Sequence, residues 1–332
     1  MDFPKVSIII PVRNEEKFIE KAIRSIIQND YPKDKLEIIV IDGLSEDNTI
    51  EILKKLKEEY PDIIKILNNP QKITPVALNI GLKNASGDII IRMDAHSKYP
   101  NDYIAKCVKH LTETNADNVG GVAKIIPRSE NAKAIAIARV LSSPIGTGGA
   151  KYRTFPKKPI EVDTVPFGCF KRETFSKYGT FNEKLVRNQD IEFNNRIKRN
   201  GGKILLFPDI SLEYYARDTF KALWKNNFSN GYWVINALKY AHLPFRLRHL
   251  IPLIFVLFLI FGLIISILYK SILNIYLFFI SMYIFTISIS SLKISIKEKS
   301  LKVFLYSLLA FITLHISYGL GSLWAILTFF KK

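Results

Sequence analysis

Three long apolar runs without a charged side chain fill the last quarter of this 332-residue chain and restrict its fold more than any other feature. They are Leu250 to Tyr269, Ser271 to Leu292 and Val303 to Phe330. Each holds about 20 or more residues, the length that crosses the hydrocarbon core of a bilayer as a helix. Because Ile, Leu, Phe and Val dominate, inserting each run should be favourable by roughly 5 kcal/mol. We therefore predict three transmembrane helices, at residues 250–269, 271–292 and 303–330. Buried helices of a soluble protein are the alternative.

This pattern divides the chain into two predicted domains. Residues 1–240 form the first domain, and residues 241–332 form an all-α membrane domain. From about residue 218 onward aromatic and basic residues interleave, as in Trp224-Lys225 and Tyr232-Trp233. Such a stretch suits a helix that lies among lipid headgroups, although a packed soluble helix would have a similar sequence.

The net charge of +17 suggests an anionic partner, either nucleic acid or a membrane surface. The sequence has no arginine-rich arm and no zinc-finger spacing, so we expect no nucleic-acid partner. A basic nucleic-acid-binding protein stays as an alternative that a membrane flotation assay would test. Basic residues precede the first apolar run, at Arg246 and Arg248, and separate the second from the third, between Lys293 and Lys302. By the positive-inside rule we expect a multi-pass protein of the cell membrane whose amino-terminal domain is cytoplasmic.

Apolar strand-like runs alternate with helical periodicity in the amino-terminal domain. The runs are Val6 to Pro11, Leu36 to Ile41, Ile63 to Leu67 and Ile89 to Met93. This alternation predicts an α/β fold with a mostly parallel sheet covered on both faces, with Asn14 and Thr74 as helix caps. Pro11, Asp42 and Asp94 then lie at the carboxyl ends of strands, where open α/β sheets bind ligands. We expect a nucleotide-sized ligand at this edge.

The phosphates of such a nucleotide need a partner other than a glycine-rich loop. The sequence contains neither the dinucleotide fingerprint G-x-G-x-x-G after the first strand nor the phosphate loop G-x-x-x-x-G-K-[ST]. A divalent cation on Asp94 is the candidate, with His96 as a second ligand two residues later. Imidazole suits Mn²⁺ better than Mg²⁺, and both cations stay open. A strand that ends in an ordinary polar turn is the alternative for this Asp-x-His pair.

The order and spacing of several segments resemble the signatures of family 2 glycosyltransferases. The segments are Pro11 to Glu16, Val40 to Thr49, Asn79 to Gly81 and Asp94 to His96. Three further segments resemble the branch of succinoglycan-type glucosyltransferases of the ExoA kind, namely Ser143 to Arg153, Val162 to Gly168 and Arg187 to Phe193. The resemblance covers roughly Val6 to Trp233. It implies a nucleotide-diphospho-sugar transferase fold of the GT-A kind and a hexosyltransferase-like activity.

The resemblance also implies roles for single residues. Asp190 matches the family's catalytic base, and a single displacement at the anomeric carbon implies inversion. Asp42 matches the aspartate that binds the nucleotide. The expected nucleotide-sugar-binding residues are Pro11, Arg13, Glu15, Asp42, Asn79 and Asp94, the metal ligands are Asp94 and His96, and the acceptor or loop candidates are Gly148, Gly149, Gln189 and Trp224.

Each role has a structural alternative. Asp42 could cap a helical turn, Asp190 could be a solvated acid in the first turn of a helix, and the glycines could form a flexible loop. The chain also departs from the family pattern. The metal motif usually ends in aspartate where this chain has His96, and a second aspartate that commonly follows the second strand is replaced by Gly43.

These observations together predict a membrane-anchored, inverting glycosyltransferase of cell-surface polysaccharide or glycan biosynthesis. The expected donor is a UDP-sugar, the cofactor Mn²⁺ or Mg²⁺, and the acceptor a lipid-linked glycan. The processive synthases carry Gln-x-x-Arg-Trp, which is absent here, so we expect non-processive transfer. The alternatives are transfer directly to polyprenyl phosphate and a catalytically silent membrane protein that binds nucleotide sugars.

Overall fold

A computed structural model describes residues 3–149, 151–153, 156–241 and 247–330. The chain divides into two compact units, and the division does not follow a single cut in the sequence. The first unit consists of Met1–Lys124 and Lys151–Tyr214, and the second of Ile125–Ala150 and Tyr215–Lys332. The predicted domain boundary at residue 240 stays a prediction.

In the part of the chain that the structure describes, nine strands form one sheet. They are β1 (Val6–Val12), β2 (Leu36–Asp42), β3 (Ile64–Asn68), β4 (Ile89–Arg92), β5 (Ser97–Lys98), β6 (Asn118–Ile126), β7 (Ile160–Glu161), β8 (Cys169–Lys171) and β9 (Ile204–Tyr215). The strand order is β3-β2-β1-β4-β8-β6-β9-β5, and β7 pairs with β9. The first four strands in this order are parallel, whereas β8 runs antiparallel to both β4 and β6.

Twelve α-helices occur among the described residues. The first unit has α1 (Ile19–Ile27), α2 (Thr49–Glu59), α3 (Thr74–Asn84), α4 (Tyr103–Glu113), α7 (Arg172–Tyr178) and α8 (Gln189–Arg199). The second unit has α5 (Ala132–Leu141), α6 (Pro144–Thr147), α9 (Phe220–Asn236), α10 (Leu247–Leu268), α11 (Lys270–Glu298) and α12 (Leu301–Leu327). Short 3₁₀ turns lie at Lys33–Lys35, Lys151–Arg153 and Ala237–Lys239.

The centre of the sheet is buried on both faces. Successive residues of a strand point to opposite faces, yet Ile8, Ile9 and Ile10 of β1 are all at most 1% exposed. This is the environment that a continuous apolar run predicts for a parallel strand. The strand register places the carboxyl ends of β1 and β2 side by side, because Val12 pairs with Asp42.

An aromatic cluster fixes helix α8 against the first unit's core. Phe170, Phe175 and Phe181 surround Phe193 of α8, and the rings of Phe175 and Phe193 stack with centroids 5.1 Å apart. Buried aromatic pairs contribute about 0.5–1.5 kcal/mol beyond the area that they bury. The first turn of α8, which contains Asp190, is therefore attached to a rigid support.

The predicted fold class is confirmed, with a difference in the sheet. The four predicted strands form the parallel part. The sequence interpretation did not include the antiparallel strands β5 to β9, since three of these five have only two or three residues. Two predicted caps are wrong, because Phe18 precedes α1 and Ile73 precedes α3. Asn14 instead adopts a left-handed backbone with φ 54° and belongs to the loop after β1.

The described part of the second unit contains three helices that are long and apolar enough to cross a membrane. These stretches are His249–Leu268, Lys270–Glu298 and Leu301–Leu327, with mean hydropathies of 3.1, 2.0 and 1.7. They overlap the three predicted spans. Large apolar side chains such as Phe261, Ile267 and Phe285 are more than half exposed. An apolar exterior of this kind is what a helix presents to lipid.

Helices α9 and α12 pack with their backbones in close approach. A Cβ atom on Gly231 of α9 would lie 2.0 Å from the carbonyl oxygen of Tyr318, and one on Gly321 of α12 would lie 2.0 Å from that of Phe228. The Ser322 hydroxyl donates to the Gly231 carbonyl at 3.0 Å. Small residues that permit close helix contact are typical of membrane bundles. Whether α9 also lies among headgroups stays a prediction.

Candidate active site

A cleft of about 250 Å³ opens at the carboxyl edge of the parallel strands. Five of the predicted site residues line it: Pro11, Arg13, Glu15, Asp94 and His96. Its other lining residues are Val12, Gly43, Asn69, Lys72, Ile73, Thr74, Ala77 and Arg92. The cleft therefore gathers side chains from the ends of β1 and β4 and from the start of α3, as the edge of a parallel sheet should.

The loops after β1 and β2 hold each other through reciprocal hydrogen bonds. The Asn14 amide N–H donates to the Ser45 hydroxyl at 2.9 Å, and the Asn14 side-chain oxygen accepts from the Glu46 amide at 2.8 Å. The Glu15 amide donates to the Thr49 hydroxyl at 2.8 Å. The Val12 carbonyl accepts from the Gly43 amide at 2.8 Å. Together these bonds fix the backbone on either side of Arg13, a cleft residue. The first two signature segments, Pro11 to Glu16 and Val40 to Thr49, thus form one interlocked structure.

Asp42 is nearly fully buried and accepts hydrogen bonds within its own turn. Its two carboxylate oxygens accept from the Ser45 amide at 3.0 Å and from the Ser45 hydroxyl at 2.5 Å. Asp42 is not among the residues that line the cleft, although its neighbour Gly43 is. The geometry matches the turn-capping alternative, and a direct contact between Asp42 and a nucleotide stays a prediction.

Asn79 holds the segment that precedes α8. Its side-chain amide donates to the Phe181 carbonyl at 2.9 Å and to Glu183 at 2.8 Å, and its oxygen accepts from the Phe181 amide at 3.0 Å. These three bonds use the polar atoms of the Asn79 side chain, and Asn79 is not among the residues that line the cleft. The predicted donor-binding role of Asn79 therefore has no support from its position. The residue instead stabilises the approach to Asp190.

Asp94 is oriented by a buried tyrosine. The Tyr99 hydroxyl accepts from the Asp94 amide at 2.8 Å, and burial raises the pKa of Tyr99 far above its ordinary value, so the phenol stays protonated. The Asp94 carboxylate lies 3.7 Å from the guanidinium of Arg92, and its side chain is 15% exposed. A carboxylate with this partial exposure lines the cleft and can reach a ligand.

Both ring nitrogens of His96 have protein partners. Nδ1 lies 3.3 Å from a Glu15 carboxylate oxygen, and Nε2 lies 3.1 Å from the Tyr214 hydroxyl. Burial alone lowers the pKa of His96. Its electrostatic interaction with Tyr214, the hydrogen bond to Glu15 and the charges of Asp94 and Glu15 outweigh burial and raise that pKa to about 9. The imidazolium form, which has no lone pair for a metal, therefore predominates near neutral pH.

The predicted metal site fits these residues only in part. Asp94 fits, since it offers a carboxylate on the cleft wall. His96 would have to lose a proton and exchange Glu15 or Tyr214 before it could bind a cation. Within the described residues, no three His, Cys, Asp or Glu side chains are grouped so that they could hold a metal ion. A cation would need the oxygens of a bound diphosphate to complete its coordination.

Asp190 and Glu192 lie in the first turn of α8 in different environments. Asp190 is 40% exposed and its carboxylate lies 3.9 Å from the Arg92 guanidinium. Asp190 also lines a small cavity with Arg92, Phe167 and Gly168. Glu192 is held by Arg196 through two bonds of 2.9 and 2.7 Å. Asp190 accepts only from the Ile191 amide, at 2.9 Å through Oδ1, among the bonds of the described residues. Of these two acids it is therefore the better placed to accept a proton from a substrate.

The remaining predicted candidates are not part of the cleft lining. Gln189, next to Asp190, is 6% exposed. Gly148 and Gly149 belong to the second unit and adopt left-handed backbones, with φ of 63° and 69°. Trp224 also belongs to the second unit, and its side chain is exposed on α9. Roles for these four residues in acceptor binding stay predictions.

Strained backbone is concentrated at this edge of the first unit. Left-handed φ values are uncommon outside glycine. The first unit has five such residues in its described part: Asn14, Leu44, Lys72, Phe167 and Asn188. Lys72 and the neighbours of Asn14 and Leu44 line the cleft, Phe167 lines the small cavity, and Asn188 precedes α8. Such strain persists where surrounding contacts enforce it, commonly at functional sites.

Sequence reasoning missed Arg92, Lys72 and Asn69. Arg92 ends β4 and Asp94 follows two residues later. In the extended chain that the sequence predicts here, side chains two apart lie on the same face. That spacing could have identified Arg92. Lys72 and Asn69 lie in the turn between β3 and α3, and their sequence carries no comparable signal.

Comparison with known proteins relates this geometry to a family. The profile described as Glycosyl transferase family 2 matches residues 7–179. A dolichyl N-acetyl-alpha-D-glucosaminyl phosphate 3-beta-D-2,3-diacetamido-2,3-dideoxy-beta-D-glucuronosyltransferase from Methanococcus voltae is 31% identical over 230 residues, which are 68% of this chain and 71% of the relative. The succinoglycan biosynthesis protein ExoA from Rhizobium meliloti is 31% identical over 249 residues, which are 74% of each chain.

A solved structure shares the fold. It is the mannosyltransferase PcManGT from Pyrobaculum calidifontis in complex with GDP-Man and Mn²⁺, with a TM-score of 0.55 and 23% sequence identity, over 73% of this chain and 66% of that one. The likeness supports a GT-A-like fold for the sheet and its helices. With the family profile and the two relatives, it leads to one conclusion: the chain is a member of glycosyltransferase family 2.

Proposed function

We propose that this chain is a membrane-anchored, inverting and non-processive glycosyltransferase that moves a sugar from a nucleotide-diphosphate donor to a lipid-linked glycan. The observation that carries the proposal is the arrangement of two carboxylates around one guanidinium. Asp94 and Asp190 lie 3.7 and 3.9 Å from Arg92, on its cleft side and its α8 side. In such an arrangement Asp94 can act on the side of the leaving diphosphate, and Asp190 can accept the proton of the attacking hydroxyl.

In this proposal the donor occupies the cleft and the acceptor hydroxyl approaches Asp190. Pro11, Arg13 and Glu15 belong to the cleft wall that receives the nucleotide and its diphosphate. Asp190 takes the proton as the acceptor oxygen attacks the anomeric carbon from the face opposite the diphosphate. One displacement of this kind inverts the configuration at that carbon. General-base catalysis typically contributes about 10²- to 10⁴-fold to the rate.

A divalent cation is proposed as the cofactor. Asp94 would hold it, together with His96 if the imidazole loses its proton and one of its partners. When bound, the cation supplies Lewis-acid stabilisation to the departing diphosphate. The Mn²⁺ complex of the structural neighbour supports this assignment, and imidazole as a ligand also favours Mn²⁺ over Mg²⁺.

The lipid-linked acceptor and the location follow from the second unit and the relatives. The Methanococcus voltae relative is named for a dolichyl-linked sugar phosphate, and the Rhizobium meliloti relative for succinoglycan biosynthesis. Three apolar helices in this chain could anchor it where such lipids lie. We propose a catalytic domain at residues 1–240 on the cytoplasmic side, a membrane domain at 241–332, and a UDP-sugar as the donor.

The test is transfer by the full chain in detergent or nanodiscs. UDP- and GDP-sugars are offered singly with two acceptors, a polyprenyl-diphosphate-linked sugar and polyprenyl phosphate alone. Transfer of one sugar residue to the glycan with inversion supports the proposal. Transfer only to polyprenyl phosphate would show that polyprenyl phosphate, and not a lipid-linked glycan, is the acceptor. Donor binding without transfer to either acceptor would indicate a catalytically silent binding protein.

A further inference from the structure

Arg92 lies at the end of β4 between the candidate metal ligand and the candidate base. Its Nη2 atom is 3.7 Å from Asp94 and its Nη1 atom is 3.9 Å from Asp190. The side chain is 15% exposed, and its guanidinium lies over the ring of Phe167 at 5.5 Å from the centroid. The fold therefore places a nearly buried cation between the two acids.

The hydrogen-bonding capacity of this guanidinium is largely unused. Charge-assisted N–H···O bonds are about 2.7–2.9 Å long, so distances of 3.7 and 3.9 Å are ion pairs without a formed hydrogen bond. The Nε atom is buried and has no partner among the described residues. A buried donor without a partner is unfavourable, so such a group commonly marks a site that a ligand completes. For Arg92 that ligand must be an anion or a strong acceptor.

The position of Arg92 identifies the ligand. In the described part of the first unit, Arg92 is the residue shared by the linings of the 250 Å³ cleft and the small cavity beside Asp190. Direct displacement requires the base and the leaving group to lie on opposite sides of the anomeric carbon. The Arg92 guanidinium lies between the two positions, 3.9 Å from Asp190 and 3.7 Å from Asp94. A guanidinium also matches phosphate oxygens in geometry and charge.

We propose that Arg92 is a further catalytic residue whose guanidinium binds the diphosphate of the donor. This inference rests on the proposed function. The acceptor oxygen forms a bond to the anomeric carbon, the bond from that carbon to the diphosphate oxygen breaks, and its electron pair stays on the diphosphate. The acceptor proton goes to Asp190. Arg92 stabilises the negative charge that the diphosphate gains and exchanges its long contacts with Asp94 and Asp190 for phosphate oxygens.

Phe167 and Gly168 hold Arg92 in this position. The Arg92 amide donates to the Gly168 carbonyl at 3.1 Å, which places β4 and the segment before β8 side by side. Phe167 adopts a left-handed backbone with φ 49°, and its ring supports the guanidinium. Cation–π contact and a fixed backbone reduce the conformational freedom that Arg92 loses when it binds phosphate.

The experiment compares Arg92→Gln and Arg92→Lys with wild type and with the control Arg24→Gln. Arg24 carries the same charge on the surface of α1, where it pairs with Glu20 and Glu59. The full chain is titrated with UDP, UMP, GDP and GMP, and the nucleotide pair that wild type binds is used for the variants. Turnover with the matching nucleotide sugar and the midpoint of thermal unfolding are measured on the same preparations.

We expect Arg92→Gln to lower affinity for the nucleoside diphosphate about tenfold or more and to leave affinity for the monophosphate within about twofold. The monophosphate lacks the β-phosphate, which carries the leaving oxygen and gains the charge that Arg92 stabilises. The turnover number should fall about 10²- to 10³-fold, as for loss of one preorganised donor at a developing charge. Arg92→Lys should recover part of both, because it keeps the charge without the fork. Arg24→Gln should resemble wild type.

Equal losses for diphosphate and monophosphate, or wild-type turnover in Arg92→Gln, would overturn the assignment. Failure of both Arg92 variants to fold would also overturn it, because the residue would then be structural. The proposed function is judged separately. If wild type transfers no sugar from any donor, that function fails, whereas the difference between diphosphate and monophosphate still tests Arg92.

Discussion

Replacing Asp190 by asparagine should remove turnover and leave folding almost intact. The substitution keeps the size and most of the shape of the side chain but removes the group that accepts a proton. Since general-base catalysis contributes about 10²- to 10⁴-fold, the turnover number should fall by that factor, or roughly 2.7–5.5 kcal/mol of activation free energy. Donor affinity should change little, because Asp190 does not line the donor cleft.

The effect on stability can be bounded from the contacts of Asp190. Its nearest charged partner is Arg92 at 3.9 Å, and its side chain is 40% exposed. An ion pair with this exposure contributes at most about 1 kcal/mol. The thermal midpoint of a domain of this size moves about 2–4 °C for each kcal/mol, so Asp190→Asn should shift it by no more than a few degrees.

Glu192→Gln is the matched control, because Glu192 lies two residues away in the same helical turn. Its side chain is 11% exposed and makes two short bonds to Arg196. Hydrogen bonds to charged groups contribute about 1.5–3 kcal/mol, and the substitution weakens this pair. Glu192→Gln should therefore lower the thermal midpoint by several degrees while the turnover number of the folded enzyme stays near that of wild type.

The assay measures sugar transfer, donor binding and thermal unfolding on the same solubilised preparations of all three proteins. The crossed pattern is the expected result, in which one variant loses turnover and the other loses stability. Near-normal turnover in Asp190→Asn would refute the assignment of the base. Loss of turnover in folded Glu192→Gln, with Asp190→Asn active, would place the base at Glu192 instead.

Three further predictions concern the cation, the topology and the helix packing. Chelation should abolish transfer and Mn²⁺ or Mg²⁺ should restore it, with Asp94→Ala folded but inactive; full activity in excess chelator would exclude the cation. If His96 is a ligand, Mn²⁺ affinity measured by calorimetry should rise with pH towards about 9 and lose this dependence in His96→Gln, because only the neutral imidazole binds metal. A reporter fused after Lys299 should lie in the cytoplasm and one near Lys270 on the opposite face; the same side for both would refute three spans. Gly231→Ala should lower stability in detergent by about 1–3 kcal/mol, since the added Cβ would lie 2.0 Å from an α12 carbonyl oxygen; an unchanged unfolding midpoint would contradict the packing.

The parallel half of the sheet was predictable because its strands are buried and continuous in sequence. Within β2 the run Ile38–Ile41 is apolar throughout, and burial on both faces of a sheet satisfies such a run. The antiparallel half was not predictable, because β5 and β7 have two residues each and β9 alternates only in part. Strands as short as β5 and β7 are defined only by their hydrogen bonds to neighbouring strands. A single sequence does not show which strands pair.

The site was predictable to the extent that residues follow strand ends. Pro11 and Asp94 reach the cleft because they end or follow buried parallel strands. Asp42 also ends a strand, yet its carboxylate turns back to Ser45. Asn79 carries a family signature but binds the backbone of Phe181. The position of a residue along a strand can be inferred from the sequence. The hydrogen-bond partner of a polar side chain depends on loops that come together only in the folded chain.

The interlocked loops explain how signature residues outside the cleft lining, such as Ser45 and Thr49, support the cleft. A left-handed backbone costs a non-glycine residue about 1–2 kcal/mol, and Asn14 and Leu44 both adopt it here. Surrounding contacts must exceed that cost, and the hydroxyls of Ser45 and Thr49 supply them by accepting from the backbone of the facing loop. Arg13 directly precedes these anchored positions and is thereby held on the cleft wall. Ser45 and Thr49 therefore support the cleft wall indirectly, through the strained backbone that they stabilise.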